Sequence, residues 1–81
     1  MKQDFTIRNN IRKLRFHASE MTQQELADKI GVTRQTVVAI EGEKYSPSLA
    51  VAFRMAHVFG VPLEEVFCCE PVEPQPPDPQ H

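Results

Sequence analysis

The sequence predicts an all-α fold of five short helices, and three observations carry that prediction. Helix start signals recur at close intervals: Thr22 with Glu25, then Thr33, then a serine on either side of Pro47. Glycines stand where such helices have to stop, with Gly31 after Ile30 and Gly60 after Phe59. Both kinds of signal act through the unpaired amides and carbonyls at helix ends. The third observation is composition. The 81 residues are 41% hydrophobic and 25% charged, with only three glycines and no tryptophan, which suits a small helical core better than a turn-rich β fold. A chain of this length forms one domain, near the lower end of what can bury its own core.

The elements follow in chain order. Residues 4–8, Asp-Phe-Thr-Ile-Arg, alternate polar and apolar, with Phe5 and Ile7 on one side. Five residues are too few to settle a period, so a short strand and a single helix from Thr6 to His17 both stay open. Asn9 and Asn10 can cap a first helix in which Ile11, Leu14 and Ala18 form one apolar stripe. Arg8, Arg12, Lys13 and Arg15 surround that stripe; for Arg12 and Lys13 two readings stay open, contact with phosphates or solvation of the helix, and solvation is preferred.

Thr22 and Glu25 have the spacing of a capping box, in which the hydroxyl accepts from the N3 amide and the carboxylate accepts from the cap's own N–H. Met21 and Leu26 are placed as a hydrophobic staple across that start. Gly31 supplies a left-handed residue after Ile30. Thr33 then caps the next helix, with Val32 and Val37 repeating the staple. The two helices so defined form a helix-turn-helix unit.

Gly42–Pro47 is a loop, and Pro47 suits the first turn of a fourth helix capped by Ser46 or Ser48. Leu49, Ala52, Phe53, Ala56 and Phe59 fall at spacings of three and four and are expected to face the core. A fifth helix is expected from Pro62 to about Val66, with Leu63, Val66 and Phe67 apolar. Phe67–Pro71 is a candidate second strand. From residue 71 onward the chain holds five prolines and little apolar surface. It is expected to be a disordered, acidic tail (71–81) beside a folded domain (1–70).

The net charge of −2 averages two unlike parts. Residues 1–63 hold all nine Lys and Arg against six acids, +3, whereas residues 64–81 hold five acids and no Lys or Arg, −5. A mildly basic body is compatible with a nucleic-acid partner, because local faces matter more than the pI. No window approaches the roughly 18 apolar residues of a membrane span. The first ten residues lack the apolar region of a secretory leader. Adjacent Cys68 and Cys69 have no metal spacing and are expected as free thiols in the cytoplasm. His17, His57 and His81 are scattered. No catalytic constellation, metal set or cofactor cradle is evident, so neither an enzyme nor a cofactor is expected.

Taken together, Ile11–Arg15, Thr22–Ala27, Gly31–Val37, Ile40–Glu41, Lys44–Tyr45, Pro47–Leu49 and Pro62–Phe67 resemble the Cro/C1-type (Xre) helix-turn-helix regulators, and among them the smallest repressors. The one departure is the longer insert His17–Glu20. The resemblance implies a lambda-repressor-like five-helix DNA-binding domain. It also implies that the chain ends can pair as a two-stranded antiparallel sheet, and that Arg15 and Glu41 form a structural ion pair.

DNA reading by such a unit places the start of the second helix at base edges in the major groove. That makes Arg34, Gln35, Val38 and Ala39 the base-reading candidates. Arg suits guanine, Gln suits adenine, and small apolar side chains suit thymine methyls. Gln23, Thr33, Thr36, Lys44 and Tyr45 are the phosphate candidates. One reading head sees few base pairs, so a homodimer on a pseudo-palindromic operator is expected, joined through Phe5, Leu63, Val66 and Phe67. The rival expectation is an antitoxin-like interaction module whose protein partner binds the tail or the dimer face.

Overall fold

The computed structural model describes residues 5–71, in the order β1 (Phe5–Asn9), α1 (Ile11–His17), α2 (Gln23–Ile30), α3 (Arg34–Glu41), α4 (Leu49–Phe59), α5 (Leu63–Val66) and β2 (Phe67–Pro71). Of the expected tail, 71–81, Pro71 instead closes β2 through its pairing with Phe5, while 72–81 and the side chains of Phe5 and Pro71 lie outside the described residues. β1 and β2 pair antiparallel, with Ile7 opposite Cys69 and Asn9 opposite Phe67. Residues 6–17 are therefore strand then helix, and the single-helix alternative falls. What decides this is a partner strand some 60 residues away, which no local periodicity could register.

The cap signals act as their spacing predicts in α2 and α3. Thr22 Oγ1 accepts from the Glu25 amide at 3.0 Å, while Glu25 Oε1 accepts from the Thr22 amide at 2.8 Å. Gly31 sits at φ +76°, in the left-handed region where a Cβ is strained. Thr33 Oγ1 accepts from the Thr36 amide at 3.1 Å. Two adjustments occur elsewhere. Asn10 occupies the cap position of α1 without a side-chain cap bond; Asn9 Oδ1 accepts from the Ile11 amide instead, at 3.1 Å. Ser48 caps α4, its Oγ accepting from Val51, so Pro47 precedes the helix rather than opening its first turn. The insert after α1 closes compactly through left-handed Ser19 and Glu20, with the Met21 amide donating back to the Arg15 carbonyl at 2.9 Å.

The core gathers one face from every helix: Ile11, Leu26, Ala27, Ile30, Val37, Ile40, Met55, Ala56 and Val66. Each fully buried Ile or Leu contributes on the order of 1.5–3 kcal/mol of transfer free energy. The expected inner face of α4 requires correction. Ala52, Met55 and Ala56 are buried, whereas Leu49 is 73% and Phe53 56% exposed. Residues 49–59 are apolar on nearly every side, so the stripes 49/52/53/56 and 52/55/56/59 are equally good by spacing. Packing against α2 and α5 selects the second.

Candidate nucleic-acid interface

α3 is anchored on its inner side and open on its outer side. Val37 and Ile40 are buried at 0% and 2% exposure, while Arg34, Gln35 and Val38 are exposed and Ala39 is half-buried. A helix of 3.6 residues per turn puts 34, 35, 38 and 39 on adjoining outward rows. The base-reading candidates therefore share one outward strip.

The phosphate candidates fall around that strip unequally. Thr33, Thr36 and Tyr45 line one open groove together with Gln35 and Ala39. Thr33 is occupied as a cap, and its hydroxyl lies 3.0 Å from that of Thr36. Gln23 stands on the opposite flank, in a cleft shared with Arg34. Lys44 lines neither; it is exposed, and its backbone amide ties the loop to the end of α3 by donating to the Ala39 carbonyl at 2.9 Å. A left-handed Glu43, not Gly42, makes that turn.

A continuous polar chain runs beneath the strip. Arg15 meets Glu41 side-on, Nε to Oε2 at 3.0 Å and an η-nitrogen to Oε1 at 3.1 Å, and its other η-nitrogen donates to the Met21 carbonyl at 2.8 Å. The two side chains are only 16% and 13% exposed. Gln23 Nε2 donates to Glu41 Oε1 at 2.7 Å, and Gln23 Oε1 lies 3.5 Å from an η-nitrogen of Arg34. The chain Arg15–Glu41–Gln23–Arg34 thus ties α1, α2 and both ends of α3 together. Gln23 enters any phosphate contact with its amide already engaged.

Asn9 is a contributor that sequence reasoning took only for a cap. Its Nδ2 donates to the carbonyls of Ile40 and Glu41 at 3.1 and 3.2 Å, satisfying two acceptors at the end of α3. No local signal could have found this, because the acceptors lie more than 30 residues away. Asn10 does a similar service at α5, donating to the Glu65 carbonyl at 2.9 Å.

The dimer candidates separate. Leu63 and Phe67 are half-buried and line an apolar cleft with Ile7 and Leu49. Val66 is fully buried within its own protomer and cannot reach another molecule. Cys68 and Cys69 are both exposed. Among the described residues no group of His, Cys, Asp or Glu could hold a metal ion, and no helix is long and apolar enough to cross a membrane.

Five helices with a two-strand sheet, and a capped, anchored α3 facing outward, define a helix-turn-helix protein. The chain belongs to the Cro/C1-type helix-turn-helix family, whose model, described as helix-turn-helix, matches residues 11–66. It is 48% identical over 60 residues to an uncharacterized HTH-type transcriptional regulator, MJ0272, of Methanocaldococcus jannaschii, covering 72% of this chain and 91% of that one. It is 36% identical over 58 residues to the cryptic phage CTXphi transcriptional repressor RstR of Vibrio cholerae, covering 72% of this chain and 51% of that one. The crystal structure of the hypothetical transcription factor NHTF from Neisseria superposes with a TM-score of 0.64 at 30% identity. That match covers 69% of this chain, which spans 62% of the Neisseria chain.

Proposed function

We propose that this chain is a sequence-specific DNA-binding transcriptional regulator, a cytoplasmic homodimeric repressor that reads a pseudo-palindromic operator through α3. The observation that carries this reading is the outward strip Arg34, Gln35, Val38 and Ala39 on a helix clamped at both ends. Two side chains able to pair bidentately with purines stand beside two able to meet thymine methyls. Thr33, Thr36, Lys44, Tyr45 and Gln23 supply donors on either side for the phosphates that set register. Likeness to a phage repressor supports the direction of regulation. The rival reading is an interaction module whose partner binds the tail or the dimer face; the tail beyond residue 71 lies outside the described residues, and no observation at the dimer face favours a different protein over a second copy.

Selection of bound duplexes from a random pool tests the function. The expected product is a two-fold-symmetric site with half-sites about 34 Å apart, one helical turn. Recovery of no duplex at all would refute the reading; recovery of a single unsymmetrical half-site would refute the dimer.

The dimer face is proposed on α4, α5 and the sheet. Leu49 and Phe53 are large, exposed and outside the protomer core, and Leu49 shares a cleft with Leu63 and Phe67. Charged residues there would cost the monomer little. The L49E/F53E variant is expected to stay folded by circular dichroism and to run as a monomer by light scattering, with weaker operator binding. A variant that remains dimeric would place the interface elsewhere.

A further inference from the structure

We propose that the groove between α1 and the end of α3 seats a stretch of DNA sugar–phosphate backbone, with Arg12 and Lys13 on phosphates and Phe16 against deoxyribose. This rests on the DNA-binding function proposed above and adds to it a contact region on α1. The groove is lined by Arg12, Lys13 and Phe16 of α1 and by Val38 and Glu41 of α3, with Gln23 beside them. It is continuous with the base-reading strip: Val38 belongs to both, and Arg12 also lines the adjoining cleft with Arg34.

Three observations set this groove apart from an ordinary solvated helix face. Arg12 and Lys13 are exposed, and among the described residues no carboxylate is within ion-pair distance of either. Phe16 is 64% exposed, held edge-on by His17 at 5.8 Å between ring centroids, and Val38 is 43% exposed. Glu41, the one acid in the groove, is covered by Arg15 at 3.0 Å and Gln23 at 2.7 Å, so its charge is largely compensated. The surface is therefore cationic and apolar by turns. The occupant that matches is a chain alternating anionic and apolar units, which is what a deoxyribose–phosphate backbone presents. An acidic peptide has the same signs of charge, but nothing else joins it to the strip that α3 presents.

The test is duplex binding by fluorescence anisotropy against salt, using the selected operator and a labelled mixed-sequence duplex. Two phosphates per protomer, four per bound dimer, make a slope of about −3.6 in log K against log salt. Raising salt from about 50 to 200 mM should then cost the wild type about 150-fold more affinity than R12A/K13A. F16A should weaken both duplexes while leaving the slope unchanged. R12K/K13R should restore the slope, and base preference should persist throughout, because none of these residues reads bases. All three residues are exposed, so melting temperatures should stay close to wild type and a folding defect would be visible. Wild-type binding with an unchanged slope in R12A/K13A would overturn the groove and spare the function. Failure of the wild type to bind any duplex would overturn both.

Discussion

Replacing Arg34 and Gln35 together by alanine is expected to abolish operator preference while leaving the fold and the dimer intact. Each is exposed on α3, and neither belongs to the core that Val37 and Ile40 join. A good bidentate pair with a base contributes about 1–3 kcal/mol of discrimination, so losing two removes about 2–6 kcal/mol. Phosphate contacts supply affinity without sequence information, so residual, salt-sensitive binding to any duplex should remain. Competition between the selected site and mixed-sequence duplex reads the difference directly. Unchanged preference in the double variant would mean that other side chains read the bases.

The expected specificity loss is large because so few residues carry it, while the fold is distributed over many. That asymmetry also governs what could be read from residue order. α2, the turn and α3 were legible because every signal is local: Thr22 with Glu25, Met21 with Leu26, Gly31 after Ile30, and Thr33 with its own N3 amide. Alternation offered the first strand as one option, but the pairing of the two strands was legible only through family resemblance, since Ile7 and Cys69 meet across nearly the whole domain.

The inner face of α4 is hidden in the sequence for a different reason. A helix apolar on nearly every side has no unique stripe, and only its neighbours decide which residues are inside. Leu49 and Phe53 therefore moved from expected core to exposed surface, and Val66 moved from expected interface to core. The apolar groups available to another molecule are those the protomer core does not take, and alternation or spacing alone does not divide them. Asn9 shows the same limit for polar groups: its amide serves carbonyls more than 30 residues ahead.

Glu41→Ala is expected to cost about 3 kcal/mol of stability, because it removes one partner of a pair that is mostly shielded from water. Arg15 would keep its bond to the Met21 carbonyl but lose both contacts to the carboxylate, at 16% side-chain exposure. In a domain of this size, that corresponds to a fall in melting temperature of about 12–24 °C. The pair itself need not be strongly stabilising, since desolvation offsets much of its attraction. A second variant, R15M/E41L, separates the two quantities. It removes both charges and refills the space with apolar atoms, and should recover most of the stability lost in E41A. DNA affinity should not recover with it. Gln23 still lacks the carboxylate that held it at 2.7 Å, and with it the tether reaching Arg34. Stability regained with operator binding still weakened would assign Glu41 a positioning role beyond folding. Equal recovery of both would confine it to the fold, and an unchanged melting temperature in E41A would show that the pair does not stabilise the fold.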